Sequence, residues 1–416
     1  MTSLMQTHSM ARNPSVMLTM SFWKNLSAAP HRLLFLIGSL QALFAMLFWL
    51  AYLVWPDRLA LTWPGSAAHA WTMLYGLFPA FVFGFLFTAL PNWVNGLAIR
   101  RWEYLTTALL FASGGLLFYV GLLIPGPDLL ALGLYLAGWL IGLLALLRIL
   151  RTCRPGDNRQ PWAVWFATGF GLLGASAILA WRVTSNAEWL FLGEELGLWG
   201  FLTPLFLAVC HRMIPYFTSR IVNNYVLVRP HSAFWMMLGA SLGHAVLTTS
   251  GHVQWTWLTD FTLAGIAFWF SLRWGFRRGL TVRLLGMLHI AFLWAGLAFA
   301  LYGIDSLMQL SGSAGLGFAP LHALAIGFFS AMLVGMAARV SLGHSGRKLE
   351  CDDQTWWLFL AIQWSAIFRM LPDLAHNWID YRLTILAGLI WLLTFIVWVA
   401  KYAPIYWRPR LDGKPG

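Results

Sequence analysis

Apolar runs of about 20 residues recur along the whole chain, and short polar segments separate them. A helix of that length crosses the hydrocarbon core of a bilayer. The pattern therefore predicts an all-α polytopic membrane protein with about twelve transmembrane helices in one bundle. The predicted spans lie at about 31–55, 67–90, 102–124, 127–149, 161–182, 192–214, 231–250, 254–272, 282–304, 317–340, 354–373 and 382–404.

The segments between the spans are too short to hold a soluble domain. The longest are residues 215–230 and a polar tail at residues 1–30. We therefore expect one transmembrane domain at 31–404 between cytoplasmic tails at 1–30 and 405–416. The first 25 residues lack a long apolar core followed by a small-residue cleavage site, so no removable signal peptide is expected.

Charge supports the same topology. Hydrophobic residues make up 59% of the chain and charged residues 10%, against about a quarter in soluble domains. With a cytoplasmic amino terminus, all 27 Lys and Arg residues fall on the cytoplasmic side except Arg58, Arg182, Arg369 and Arg382. This asymmetry predicts that both termini are cytoplasmic and that the basic residues face anionic lipid headgroups. The net charge of +12 therefore does not indicate a nucleic-acid site.

The three cysteines give little evidence of chemistry. Cys153, Cys210 and Cys351 fall at the cytoplasmic ends of predicted spans, and no CxxC pair exists. Neither disulfides nor a thiolate zinc site is indicated. Cys210 directly precedes His211, so the two could form a small metal-binding pair, or Cys210 could be a buried thiol at a helix end.

Histidines near the ends of the spans are the main candidates for cofactor binding. Imidazole is costly to place in hydrocarbon and is a common ligand of transition metals and haem iron. His69 and His322 begin spans 2 and 10 in the layer predicted to be outer, which suggests axial ligation of one haem from two helices. The alternative is that each histidine caps a helix or forms a hydrogen bond at the membrane–water interface. A metal ligand and a satisfied core histidine are both open for His244 and His289, which lie deepest.

Few other ionisable groups lie at membrane depth. Glu194 and Glu195 at the outer start of span 6 could relay protons or bind a cation. Alternatively, their negative charges are simply favourable near the N-terminus of a helix. Asp260 in span 8 could relay protons, and Arg369 in span 11 could neutralise a haem propionate or pair with an acid.

Four segments resemble the NnrS family of membrane proteins, which is linked to the response to nitric oxide. The signature span is similar to Pro320–Arg347, PLHALAIGFFSAMLVGMAARVSLGHSGR. An early span ending in a Pro-Asn-Trp turn resembles His69–Gly96. The turn HRMIPYFTSR at His211–Arg220 and the Leu-His span RLLGMLHIAFLWAGL at Arg283–Leu297 are also similar. The four segments occur in the family's order and cover most of the chain.

The resemblance implies a haem- and copper-containing protein of the bacterial inner membrane that helps cells tolerate nitrosative stress. It places the family's cofactor-binding histidines at His69, His289, His322 and His344, with haem b as the expected cofactor. Where the family has His-Ala-His-Glu-Met, this chain has Trp71 and Thr72 in place of the second histidine and the glutamate. Copper binding is therefore in question, and with it turnover on nitric oxide as an oxidoreductase.

The sequence is compatible with other functions as well. Nitric oxide or another small gas is the expected ligand, and a respiratory-chain electron donor is a candidate partner. A weaker likeness to the catalytic subunit of haem–copper oxidases supports haem ligands on spans 2 and 10, although that subunit's His-His and His-x-His pairs are missing. A secondary transporter would also have twelve spans, but no strong repeat between halves is visible. An accessory or assembly subunit of a respiratory complex is a third alternative.

Overall fold

The computed structural model describes residues 22–154, 156–375, 380 and 382–414. Within them the chain forms twelve long helices and no strand, as the apolar runs predict. The helices are α1 Pro30–Val54, α2 Gly65–Trp93, α3 Arg101–Leu123, α4 Pro127–Arg151, α5 Arg159–Thr184, α6 Ala187–Ser219, α7 His231–Thr249, α8 Trp257–Arg273, α9 Arg283–Leu310, α10 Ala319–Gly343, α11 Asp353–Leu374 and α12 Arg382–Trp407.

Among the described residues, nine of these helices are long and apolar enough to cross a membrane. The other three are α7, α8 and α11. Twelve spans and cytoplasmic termini therefore stay predictions, whereas the all-α polytopic fold is confirmed. The side chains agree with a lipid environment: Leu109, Leu116 and Leu123 form a stripe along α3, each more than 60% exposed. Such an apolar face is stable in contact with acyl chains and not with water.

The predicted tails are more closely attached to the bundle than expected. Residues 1–21 of the amino-terminal tail lie outside the described part. From residue 22 onward the chain packs on the bundle: the Phe22 ring lies 5.8 Å from that of Trp407, and Tyr104 donates a hydrogen bond to the carbonyl of Ser27. At the other end, α12 continues three residues beyond the predicted boundary at residue 404.

Three helices form the centre of the bundle. Helices α2, α6 and α10 are its most buried spans. The other helices surround them, and the last of these, α12, packs on the first, α1. Phe78 of α2, Phe206 of α6 and Phe329 of α10 meet at the centre, with ring centroids 4.8 to 6.0 Å apart. These are favourable edge-on and tilted aromatic contacts.

Each central helix contains one π-helical segment. These segments are Thr72–Leu77 in α2, Leu196–Leu202 in α6 and Ala323–Ser330 in α10. The residues immediately before them are Trp71, Glu195 and His322, and a glycine follows each five positions later, at Gly76, Gly200 and Gly327. A π segment therefore recurs in every fourth helix with the same spacing to its glycine, a threefold repeat that a comparison of halves does not detect. Single π turns are frequent at functional sites.

Buried ion pairs fasten the two ends of the bundle. At the predicted outer end, Asp128 of α4 is 1% exposed and accepts hydrogen bonds from Trp63 Nε1 at 2.9 Å and Arg182 Nε at 2.7 Å. At the other end, Glu103 of α3 accepts from Arg148 of α4 at 2.6 Å. Each acid thus joins helices that are neighbours in the ring.

Replacing Asp128 should destabilise the bundle. Asp128→Ala leaves Arg182 and the Trp63 N–H without their buried acceptor, a loss of about 3 kcal/mol in the free energy of unfolding. We expect a Tm several degrees lower, measured by tryptophan fluorescence of the purified protein in detergent. Asp157→Ala is the control, because the ion pair of Asp157 with Arg159 is 41% exposed on both sides. Equal Tm values for the two variants would contradict the prediction.

Candidate functional site

His69 lies in the first turns of α2. This end of the bundle is the one predicted to be outer, and we call it the outer end and the opposite one the inner end. Its ring stacks on Trp49 of α1, with centroids 4.0 Å apart and planes 16° from parallel. Its Nδ1 is buried and has no hydrogen-bond partner among the described residues. A buried ring nitrogen without a partner is costly in a protein alone and is available to a ligand.

His322 lies in the first turn of α10, in the same layer as His69. Its Nδ1–H donates to the carbonyl oxygen of Phe318 at 2.9 Å, which leaves Nε2 as the basic nitrogen. Metal-ligating histidines commonly have this arrangement, because the N–H bond to a carbonyl fixes the tautomer and the ring orientation. The two imidazoles lie close enough for their charges to interact.

A cation belongs to this outer layer as well. The guanidinium of Arg369 in α11 lies within electrostatic range of both His69 and His322. Its Nη1 also donates to Asp373 one turn later, at 2.6 Å. His69, His322 and Arg369 thus lie within electrostatic range of one another, whereas sequence analysis could assign them only to a common layer.

The candidate His344 lies at the opposite end of α10. Twenty-two residues separate it from His322, roughly 30 Å along the helix. One porphyrin cannot be bound by both. The neighbour of His344 is instead His31 of α1, with ring centroids 4.9 Å apart, and His31 Nδ1 lies 3.3 Å from the hydroxyl of Thr88. Sequence analysis did not anticipate this pair.

His289 and His211 also lie near this inner end, each with a local partner. His289 Nε2 is 3.1 Å from the hydroxyl of Thr218, and His211 Nδ1 is 3.1 Å from Nε2 of Gln160. Both imidazoles are buried, and His211 Nε2 has no partner among the described residues. Cys210 is a buried free thiol beside His211.

His244 pairs with an acid at the outer end of the bundle. Its Nδ1 is 2.6 Å from Oδ1 of Asp260, and its ring stacks on Trp199 at 3.6 Å. In the described part of the chain, no three His, Cys, Asp or Glu side chains gather as a metal site would need. Metal binding at His244 and His211 thus stays a prediction.

The three central helices contact one another in a repeated way near the inner end. Trp93, Phe217 and His344 follow Trp71, Glu195 and His322 by 22 positions. The guanidinium carbon of Arg212 in α6 lies 5.0 Å from the Trp93 ring of α2, and that of Arg339 in α10 lies 3.8 Å from the Phe217 ring of α6. Both arginines occupy the same place in the repeat, 17 positions after Glu195 and His322.

The contact between α10 and α2 does not use an arginine and an aromatic ring. Thr88 of α2 stands where the other two helices have arginine, and His344 of α10 stands where they have an aromatic ring. His31 of α1 fills the gap between them, which explains the His31–His344 pair. Spacing in the sequence could have indicated the pseudo-equivalence of Trp93, Phe217 and His344, but no local signal joins His31 to His344.

Comparison with known families identifies the chain. The family described as NnrS protein matches residues 25–410, which is nearly the whole sequence. The chain belongs to the NnrS family. The twelve helices and all of the histidines described above fall within the matched range. No curated protein matches the chain.

The departure from the NnrS pattern at residues 71 and 72 has a structural counterpart. Trp71 is 3% exposed and packs its indole against Trp63, Tyr75, Phe118 and Tyr135. The hydroxyl of Thr72 donates to the carbonyl of His69. An aromatic cluster therefore surrounds Trp71, at the position where the resemblance leads us to expect a metal-ligating histidine.

The repeated cation–π contact should contribute measurably to stability. Arg339→Ala removes a largely buried guanidinium from the face of Phe217, and such contacts contribute about 2 kcal/mol when desolvated. We expect a lower Tm in detergent. The matched control is Arg273→Ala, because Arg273 is exposed and its guanidinium carbon lies 6.0 Å from the ring of Trp269. A Tm loss no larger than that of the control would count against the contact.

Proposed function

We propose that this NnrS-family protein binds haem b between α2 and α10 and takes up nitric oxide, as part of tolerance to nitrosative stress. His69 and His322 are the proposed iron ligands. The single observation that carries the proposal is that these two imidazoles, from separate central helices, lie within electrostatic range of each other.

The chemistry of the donor set fits a haem. The Nδ1 of His69 is buried without a partner, and the Nδ1–H of His322 is oriented by the Phe318 carbonyl so that Nε2 can act as a ligand. Arg369 supplies a positive charge in the same layer, suited to a propionate. Asp373 holds the guanidinium through one short hydrogen bond and leaves its other donors for that contact.

The bound haem would supply an iron that coordinates nitric oxide when reduced. A cavity of about 60 Å³ between α1, α2, α6 and α10 has room for a small apolar gas. Apolar side chains line it, among them Phe78, Phe206 and Met332. An apolar space of this size suits a diatomic molecule and gives no hydrogen bond to a polar solute.

The remaining candidate histidines would have to bind a different cofactor. His289 and His344 lie at the inner end, too far from His322 for the same porphyrin, so any cofactor they bind is a second one. Copper is less well supported, because Trp71 and Thr72 replace the family's histidine and glutamate. We infer that the chain holds haem with little or no copper.

The proposed location is the bacterial inner membrane with both termini cytoplasmic. The distribution of the 27 Lys and Arg residues over the predicted loops supports this orientation. An electron donor of the respiratory chain would then reach the protein in or beside the same membrane.

Transport and assembly roles have less support. Arg369 is paired with Asp373, and the central helices continue through their π segments without a break. Transporters commonly place substrates at interrupted helices with free polar backbone. The apolar cavity at the centre is also unsuited to a polar solute.

An optical spectrum tests the haem proposal. The full-length protein purified in detergent should show a Soret band that shifts when nitric oxide is added to the reduced form. His322→Ala and His69→Ala should each abolish or strongly weaken the band, because each removes an iron ligand. His252→Ala should leave it intact, since His252 is an exposed loop residue beside Ser250. Elemental analysis should find iron near one per chain and copper far below that.

A folded, monodisperse and colourless preparation would overturn the proposal in favour of transport or assembly. Retention of the full Soret band in both His69 and His322 variants would overturn the ligand assignment alone.

A further inference from the structure

An open cavity of about 430 Å³ lies at the inner end of the bundle, between the amino-terminal segment that precedes α1 and the start of α3. Four of the residues that line it carry polar side chains, namely Lys24, Ser27, Arg101 and Tyr104. No histidine lines the cavity, so it is separate from the candidate cofactor sites.

Hydrogen bonds fix the amino-terminal wall of this cavity. Arg101 Nη2 donates to the hydroxyl of Ser27 at 2.8 Å, and the hydroxyl of Tyr104 donates to the Ser27 carbonyl at 2.6 Å. Arg32 of α1 is 2% exposed and donates to the carbonyl of Asn25 at 3.1 Å. The cavity is therefore formed before any ligand binds, which lowers the entropic cost of binding.

Two cations on the cavity have no acidic partner in the described part of the chain. Neither Lys24 nor Arg101 forms an ion pair there, and residues 1–21 contain no Asp or Glu. The acid nearest to Arg101 in the sequence is Glu103, and both of its oxygens accept hydrogen bonds from Arg148. The positive charge of the cavity is thus available to an anion.

The donors on these two side chains suit a phosphate group. A guanidinium has five N–H bonds, and Arg101 uses one of them on Ser27. The ammonium group of Lys24 adds three more donors. Arginine binds phosphate oxygens through two parallel N–H bonds, and lysine binds them as a point charge. An anion with several acceptor oxygens therefore fits the pair.

The lipid-facing side of α3 begins beside this cavity. Trp102 precedes Leu109, Leu116 and Leu123 by seven, fourteen and twenty-one positions, and all four side chains are more than half exposed. Seven residues make nearly two helical turns, so Trp102 stands at the end of the same stripe. Tryptophan is enriched at the level of the lipid headgroups, which places the neighbouring Arg101 at the depth of the lipid phosphates.

We propose that the cavity binds the phosphate of one anionic glycerophospholipid in the leaflet at the inner end. Arg101 and Lys24 hold the phosphate oxygens, and the acyl chains lie along the exposed stripe of α3. The indole of Trp23, which is 55% exposed, flanks the headgroup beside Lys24. The lipid thereby joins the amino-terminal segment to α3, and its binding does not depend on haem.

Native mass spectrometry of the full-length protein tests the proposal. The protein is released from detergent micelles that contain equal amounts of phosphatidylglycerol and phosphatidylcholine with the same acyl chains. We expect about one phosphatidylglycerol to stay bound per chain. Its retention should fall at least tenfold in the double variant Lys24→Gln/Arg101→Gln, because both cations that hold the phosphate are lost.

The matched control is the double variant Arg277→Gln/Arg278→Gln. It also removes two exposed cations at the inner end of the bundle, but neither of them lines the cavity. We expect this variant to retain phosphatidylglycerol as the native chain does. All four substituted side chains are exposed, so both variants should fold.

Thermal unfolding separates a lipid from a free phosphate ion. Phosphatidylglycerol should raise the Tm of the native protein by several degrees and that of Lys24→Gln/Arg101→Gln by much less, since a ligand that binds only the folded state stabilises it. Inorganic phosphate at millimolar concentration should leave both Tm values unchanged, because it makes no acyl contacts along α3.

Any of three results would refute the proposal. Equal retention of phosphatidylglycerol by the two double variants would mean that the basic residues attract lipid only in a general way. Equal retention of phosphatidylcholine and phosphatidylglycerol by the native protein would exclude selection by the two cations. An increase in Tm with inorganic phosphate as large as that with the lipid would assign the cavity to a soluble phosphate compound.

Discussion

The packing of α2, α6 and α10 at the centre of the bundle is the constraint on which the other features depend. Phe78, Phe206 and Phe329 bring the three helices together at one level, and the outer helices are arranged around them. Because these three helices are the most buried of the bundle, a polar side chain on their enclosed faces needs a protein partner or a ligand. This is why the candidate chemistry is concentrated at the ends of the central helices and at the helices that face them.

The π segments explain how polar groups are tolerated so near the centre. An inserted residue rotates the following part of a helix relative to the part before it. Trp71, Glu195 and His322 end the regular turns at the outer side, so their side chains can point differently from the phenylalanine-rich stretch that follows. One helix can therefore present an ionisable group near the outer end and a wholly apolar face at the middle.

The number and approximate bounds of the helices could be predicted from hydropathy, since long apolar runs have one stable form in a bilayer. Position along each helix could be predicted too, since His69 and His322 both lie in the first turns of their helices. The direction in which a side chain points around its helix could not be predicted, because nearly every face of these helices is apolar. His244 and Asp260 were each candidates, yet their hydrogen bond across α7 and α8 was not foreseen. The His31–His344 pair joins residues more than 300 positions apart and leaves no local pattern.

The threefold repeat gives a physical reason for the location of the unusual residues. Two of the three inner contacts between central helices use an arginine over an aromatic ring, at Arg212–Trp93 and Arg339–Phe217. The third contact uses imidazoles and a hydroxyl instead. At the outer positions the repeat departs from uniformity again, with Trp71, Glu195 and His322. Packing alone would favour the same contact at each of the three equivalent places. Positions at which equivalent helices carry different polar side chains are therefore those where packing does not decide the residue, and chemistry is the remaining constraint.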